Sequence, residues 1–200
     1  MSSALTSYRR LWGAAGASFV AVAFFGRIPL AMSQMGVLLL VAQATGSYGT
    51  AGATAGALAV ANALGAPVFG AAADRVGQRV VVQTQALLGA IGLVAIVLLA
   101  ERQVNSGVLM AVAAVTGLAM PQVGPLARVR WRPVLQRKVK NGQLAETDVD
   151  RFVDLAFSYE GAADEASFVL GPALVGILGV LIGPDGALLA AAVLLAVFGT

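Results

Sequence analysis

Arg27 has the least ordinary setting in this chain. It stands alone between two charge-free runs, 11–26 and 28–73, and an arginine inside apolar sequence needs a carboxylate or a polar cavity to receive it. Carboxylates in comparable surroundings are Glu160, Asp164 and Glu165, just before the charge-free run 166–184. Glu160, Asp164, Ser167 and Gly171 recur at i, i+4, i+7 and i+11, which places them on one helical face, with Glu165 about a quarter turn away. Such a set can neutralise a guanidinium inside a membrane while one carboxylate exchanges a proton. We expect Arg27 to pair with Asp164 or Glu165, bringing the first and fifth apolar segments together. The alternative is a structural pair near the membrane interface, with Glu160 solvated by headgroups.

Other chemistry is excluded by composition. The chain has neither histidine nor cysteine, so imidazole or thiolate metal sites, Ser-His-Asp triads, cysteine nucleophiles and disulfides are all unavailable. No metal site and no cofactor is expected, and carboxylates alone leave enzyme chemistry disfavoured. Gln34 and Gln122 are the polar residues suited to lining a cavity. Gln34 lies beyond Pro29 between Met32 and Met35, and Gln122 follows Pro121; prolines disturb helices where cavities form. Met35 and its neighbours make the lining largely apolar, which suits a lipophilic small-molecule substrate.

The elements that must position these residues are apolar helices. Hydrophobic residues make up 58% of the chain and charged residues 12%, about half the charged share of a soluble domain, and mean hydropathy is +0.84. A bilayer core requires about 20 apolar residues per helix. Segments of that kind occur at about 11–44, 50–72, 80–100, 107–127 and 157–182, with a shorter one at 187–200. The sixth stops in apolar sequence, which suggests a longer natural polypeptide. The reading is an all-α integral membrane bundle of six transmembrane helices, its fourth connection, 128–155, forming a cytoplasmic loop. A helix is expected to begin near Thr147–Asp150, which has the form of a capping box.

Positive charge sets the orientation. Arg9 and Arg10, Arg75 and Arg79, and the cluster Arg128, Arg130, Arg132, Arg137, Lys138, Lys140 and Arg151 all fall on one side of this topology, leaving Arg102 on the other. By the positive-inside rule the amino terminus is cytoplasmic, in a multi-pass plasma (inner) membrane protein. This distribution, with few aromatics among the positives, reflects topology and excludes nucleic acid as a partner. Residues 1–26 resemble a signal peptide only superficially, because apolar sequence resumes directly after Arg27.

Glycine marks the expected helix contacts. Gly52 and Gly56 form a GxxxG pair, a pattern that lets backbones approach in lipid. Gly171, Pro172 and Gly176, with Ser167 and Gly179, form a denser set with an expected kink at Pro172. Residues 64–70 (LGAPVFG) and 170–176 (LGPALVG) are also alike. If three-span units are repeated, the odd number forces the copies into opposite orientation, giving a 3+3 inverted repeat.

Gly70, Asp74, Arg75, Gly77 and Arg79 match all five fixed positions of G-x-x-x-D-[RK]-x-G-x-[RK] between the second and third spans. In that position the segment resembles the signature loop of the major facilitator superfamily. The resemblance covers the whole chain in span number and topology and implies the amino-terminal six-helix half of a transporter. It also implies that Asp74, Arg75 and Arg79 lock the outward-facing state against a carboxy-terminal six-helix half, the expected protein partner. Gly70 would permit close approach of a neighbouring helix, and Gly77 a tight turn. Gly171, Pro172 and Gly176 also fit the antiporter motif G-x-x-x-G-P-x-x-G-G, from which Ser167 and Val175 depart. The fourth span lacks the internal arginine of proton-coupled drug antiporters. The resulting expectation is a secondary transporter, exporting lipophilic small molecules by alternating access with a proton or other coupling ion. A homodimeric half-transporter or a non-transporting membrane scaffold is the alternative.

Overall fold

The computed structural model describes residues 11–13 and 16–199; Arg9, Arg10 and Thr200 lie outside the described residues. The described residues include, in order, the α-helices α1 (Ala17–Phe25), α2 (Ile28–Thr45), α3 (Tyr48–Val76), α4 (Gln78–Glu101), α5 (Ser106–Ala119), α6 (Val123–Lys140) and α7 (Val149–Phe198). A single 3-10 turn, Glu146–Asp148, precedes α7, and there is no strand among the described residues. Taking α1 with α2 and α5 with α6 as interrupted helices, five helices among the described residues are long and apolar enough to cross a membrane. That is the pattern of a multi-pass membrane protein.

Local chemistry explains the boundaries. Pro29 occupies the first turn of α2, where its missing amide hydrogen costs nothing. Ser47 caps α3 by accepting from the amide of Thr50 at 3.2 Å, and Asn105 accepts from the amide of Gly107 at 2.7 Å at the start of α5. Gly77 separates α3 from α4 with φ +96°, a conformation that disfavours any side chain. The α5/α6 break follows from Pro121, which forces the preceding Met120 into an extended conformation, φ −71° and ψ 127°.

At about 1.5 Å per residue, the 50 residues of α7 would reach far beyond a ~30 Å bilayer core if straight. The helix turns back at Gly183, where φ is 82° and ψ 161°. Contacts show the reversal: Gly171 lies against Ala31 and Met32, Leu188 against Gly36, and Phe198 near Gly26. The second arm therefore retraces α2 in the opposite sense. The segment expected to begin near residue 186 is this returning arm.

Small residues mediate the closest approaches. The two broadest helix pairings are α2 with α7 and α3 with α5. In the second, Gly65 faces the backbone of Leu118 and Gly117 meets the Leu58 carbonyl, so neither site has room for a side chain. Large apolar residues face outward instead: Val180 is 87% exposed and Leu181 70%, as suits a surface solvated by acyl chains. The core runs through Met32, Leu58, Leu93, Ile96, Leu188 and Leu195.

Three expectations are corrected here. Residues 128–155 are not a loop: α6 continues to Lys140 and α7 starts at Val149, because the charged residues there, with Leu, Gln and Val, are compatible with helix even where they cannot enter lipid. Gly52 and Gly56 make no close helix contact among the described residues; a Cβ at either would meet nothing there within 4 Å, and the same holds for Gly70 and Gly176. Small-residue spacing selects a helical face but not the neighbour that covers it. Finally, α7 begins near where the capping-box pattern suggests, but Thr147 lies inside the 3-10 turn and the N-cap is Asp148, whose αR backbone (φ −91°, ψ −11°) departs from the extended conformation of a capping residue and which makes no side-chain capping bond.

Candidate functional site

Two helix breaks face each other in the bundle, and the site is built between them. Arg27 occupies the hinge between α1 and α2, where its side chain is 5% exposed. One terminal nitrogen donates to Glu160 on α7 in a close ion pair, and the other donates to the Ala23 carbonyl at 3.2 Å. Nε lies 2.8 Å from Asp164 Oδ1 but lacks hydrogen-bond alignment with it, so this contact is chiefly electrostatic.

The two carboxylates have different surroundings. Glu160 is fully buried, and its second oxygen accepts from Trp131 Nε1 at 2.6 Å. Asp164 is 26% exposed and also accepts from Arg128 at 2.6 Å, whose side chain is 42% exposed. Two cations and two anions thus form a cluster of zero net charge, closed at Glu160 and open toward Asp164. Gly124 makes this possible: a Cβ there would lie 2.8 Å from Asp164 Oδ1 and 3.5 Å from Arg27 Nε.

An amide chain continues from the cluster to the α5/α6 break. Gln122 Nε2 donates to Asn62 Oδ1 at 2.7 Å. Asn62 Nδ2 in turn donates to the carbonyls of Gly117, at 3.2 Å, and Met120, at 3.1 Å. Gln85 Nε2 reaches the Met120 carbonyl at 3.4 Å. The break leaves the Gly117 carbonyl with only the Met120 amide at 3.1 Å, and side-chain amides supply further donors to it and to the Met120 carbonyl, as an apolar environment requires. Between the breaks is a cavity of about 140 Å³, lined by Arg27, Leu30, Gln122, Asp164, Ser167 and neighbouring residues.

The arrangement brings together most of the sequence-predicted charges. Arg27 and Asp164 pair, and Gln122 and Ser167 line the same cavity. Glu160, expected at the solvated interface in the structural alternative, is instead the most enclosed member. Glu165 is exposed and is not a partner of Arg27, because its quarter-turn offset carries it off the shared face. Gln34 is half-buried, one turn beyond Leu30 on α2, while Met35 is exposed; neither lines the cavity. Pro172 is half-buried beside the close contact at Gly171. Asp74, Arg75 and Arg79 are exposed at the α3/α4 junction and form no ion pair among the described residues.

Asn62, Gln85, Gly124 and Trp131 were not singled out by sequence. Asn62 and Gln85 carried a usable signal, since an amide within an apolar span needs a partner there. Gly124 and Trp131 carried none, because their roles depend on which helix packs opposite. Comparison with protein-family models, with curated proteins and with solved structures finds no match for this chain.

Proposed function

We propose that this chain is a six-helix half of a secondary transporter of the major facilitator type, moving lipophilic small molecules by alternating access with proton coupling. The observation that carries the reading is the neutral four-residue charge cluster at a cavity between two broken helices. Interrupted helices around polar groups are how transporters build sites inside a bilayer. Asp164 is the proton acceptor in this scheme, because it borders the cavity and holds Arg27 and Arg128 together. Protonation removes its negative charge, weakens both contacts and leaves the cluster with one excess positive charge. The Arg27–Glu160 pair, held by Trp131, stays as the fixed element.

Reciprocal packing supports an inverted repeat. Gly65, in the first three-span unit, is the close-contact point with α5 in the second; the similarly placed Gly171, in the second, meets α2 in the first. In this reading the basic end is cytoplasmic, the membrane is the plasma (inner) membrane, and Asp74, Arg75 and Arg79 are the gating loop. The exposed Gly52–Gly56 face favours pairing with a second six-helix bundle, whether a carboxy-terminal half or another copy in a homodimeric half-transporter. A non-transporting scaffold would share that face but has no use for the charge cluster.

The test is transport of a lipophilic fluorescent cation by the full chain in proteoliposomes over a pH series. The parent is expected to show a pH-dependent rate, Asp164→Asn a rate without that dependence, and Glu165→Gln the parental profile. An Asp164→Asn profile equal to the parent's would remove the proton role. No transport by the parent, at any pH gradient and in a chain that remains folded, would rule out the homodimeric half-transporter.

A further inference from the structure

An apolar cleft apart from the charge cluster lies at the basic end, between α1, α4, α6 and the returning arm of α7. It has a volume of about 370 Å³, with Val22, Val82, Leu126 and Phe198 along its walls and Arg79 and Arg130 at its lining. That volume is within the usual range of ligand pockets, about 300–1,000 Å³. No carboxylate lines it, and among the described residues neither arginine is in an ion pair. Arg130 Nε donates to Gln78 Oε1 at 2.7 Å, a neutral contact that leaves its charge uncompensated. Arg79 lies in the first turn of α4, at the end of an apolar helix, where headgroups meet hydrocarbon.

We infer that this cleft is a binding site for an anionic glycerophospholipid, its phosphate between Arg79 and Arg130 and an acyl chain against Val22, Val82 and Leu126. Basic pockets between membrane helices are suited to anionic headgroups. Charge complementarity selects the occupant. An acyl chain gains little by leaving surrounding lipid, so discrimination comes from the two guanidinium groups, each contributing about fivefold. The inference rests on the membrane setting of the bundle and is independent of transport. It also gives Arg79 a ligand of its own, so lipid composition is expected to act on the α3/α4 junction.

Native mass spectrometry of the full chain released from nanodiscs with equal phosphatidylglycerol and phosphatidylcholine tests this. Retained lipid is expected to favour phosphatidylglycerol by about thirtyfold, with Arg79→Gln and Arg130→Gln each losing about fivefold of that preference. Lys140→Gln, which removes one positive charge outside the cleft, should leave the preference unchanged. Leu126→Trp fills the cleft without altering charge and should reduce retention of both lipids. Equal retention of the two lipids by the parent overturns the proposal, as does a loss in Lys140→Gln matching that in Arg130→Gln. Displacement by inorganic phosphate as effective as by lysophosphatidylglycerol would identify a free-anion site and overturn it as well.

Discussion

Glu160→Gln isolates the charge at the centre of the bundle without changing its shape. The amide retains an oxygen for Trp131 Nε1, now 2.6 Å from Glu160 Oε1, so the indole remains satisfied. Arg27, 5% exposed, loses its closest counter-ion and keeps the off-axis contact to Asp164 at 2.8 Å and its bond to the Ala23 carbonyl. Removing one partner of a buried pair costs about 3–5 kcal/mol. The surviving contact places this variant at the lower end, about 3 kcal/mol, or roughly a hundredfold in the folded-to-unfolded ratio. Arg27→Met should cost at least as much, since Glu160 is then a buried anion with Trp131 alone. The double variant Arg27→Met, Glu160→Gln is expected to cost less than Glu160→Gln by itself, because no uncompensated charge remains and Asp164 keeps Arg128. Unfolding by titration with sodium dodecyl sulfate in mixed micelles, followed by tryptophan fluorescence in a Trp12→Phe background that leaves Trp131 as the emitter, measures all three. A Glu160→Gln cost under about 1 kcal/mol, or single costs that simply add in the double variant, would refute a desolvated pair.

Gly124→Ala should disturb the cluster from the opposite side, pushing a methyl group against Asp164 and lowering stability by about 1–3 kcal/mol in the same titration. Asn62→Leu leaves Gln122 Nε2 without its acceptor, at about 1–3 kcal/mol, while the Gly117 and Met120 carbonyls keep the Met120 amide and Gln85. Gly171→Ala must move the α2 backbone at Ala31 and Met32 and is expected to destabilise by about 1–3 kcal/mol. Gly52→Ala and Gly56→Ala meet open space and should instead stabilise an isolated bundle by about 0.5–1 kcal/mol each. If that face is an interface with a second bundle, the same two variants will weaken association in analytical ultracentrifugation.

Charges were the most legible part of the sequence. Arg27 and Asp164 stood out because lipid tolerates neither without a partner, and the spacing of Glu160, Asp164, Ser167 and Gly171 correctly assigned them one face of α7. The helix at Val123–Lys140 was hidden by the same logic, since a run of arginines and lysines says that a segment stays out of lipid and says nothing of its backbone. Pro121 indicated a disturbance, but only the surrounding helices reveal that Asn62 and Gln85 meet the carbonyls released by it. Gly52 and Gly124 make the point in opposite directions: the first has a recognisable pattern and no neighbour, the second no pattern and a neighbour it cannot do without.

The Arg27–Glu160 pair joins residues 133 positions apart, and this separation becomes a time during synthesis. At about 5–20 residues per second, roughly 7 to 27 s pass between polymerisation of Arg27 and of Glu160. For that interval the first hydrophobic segment carries an unmatched guanidinium, at an insertion cost of about 2.5–3.5 kcal/mol near the bilayer centre. The gap at residues 26–27 lets the segment sit shallowly while the arginine stem reaches toward the headgroups. The first segment is thus held provisionally at the membrane and reaches its final depth only when the fifth arrives to neutralise it.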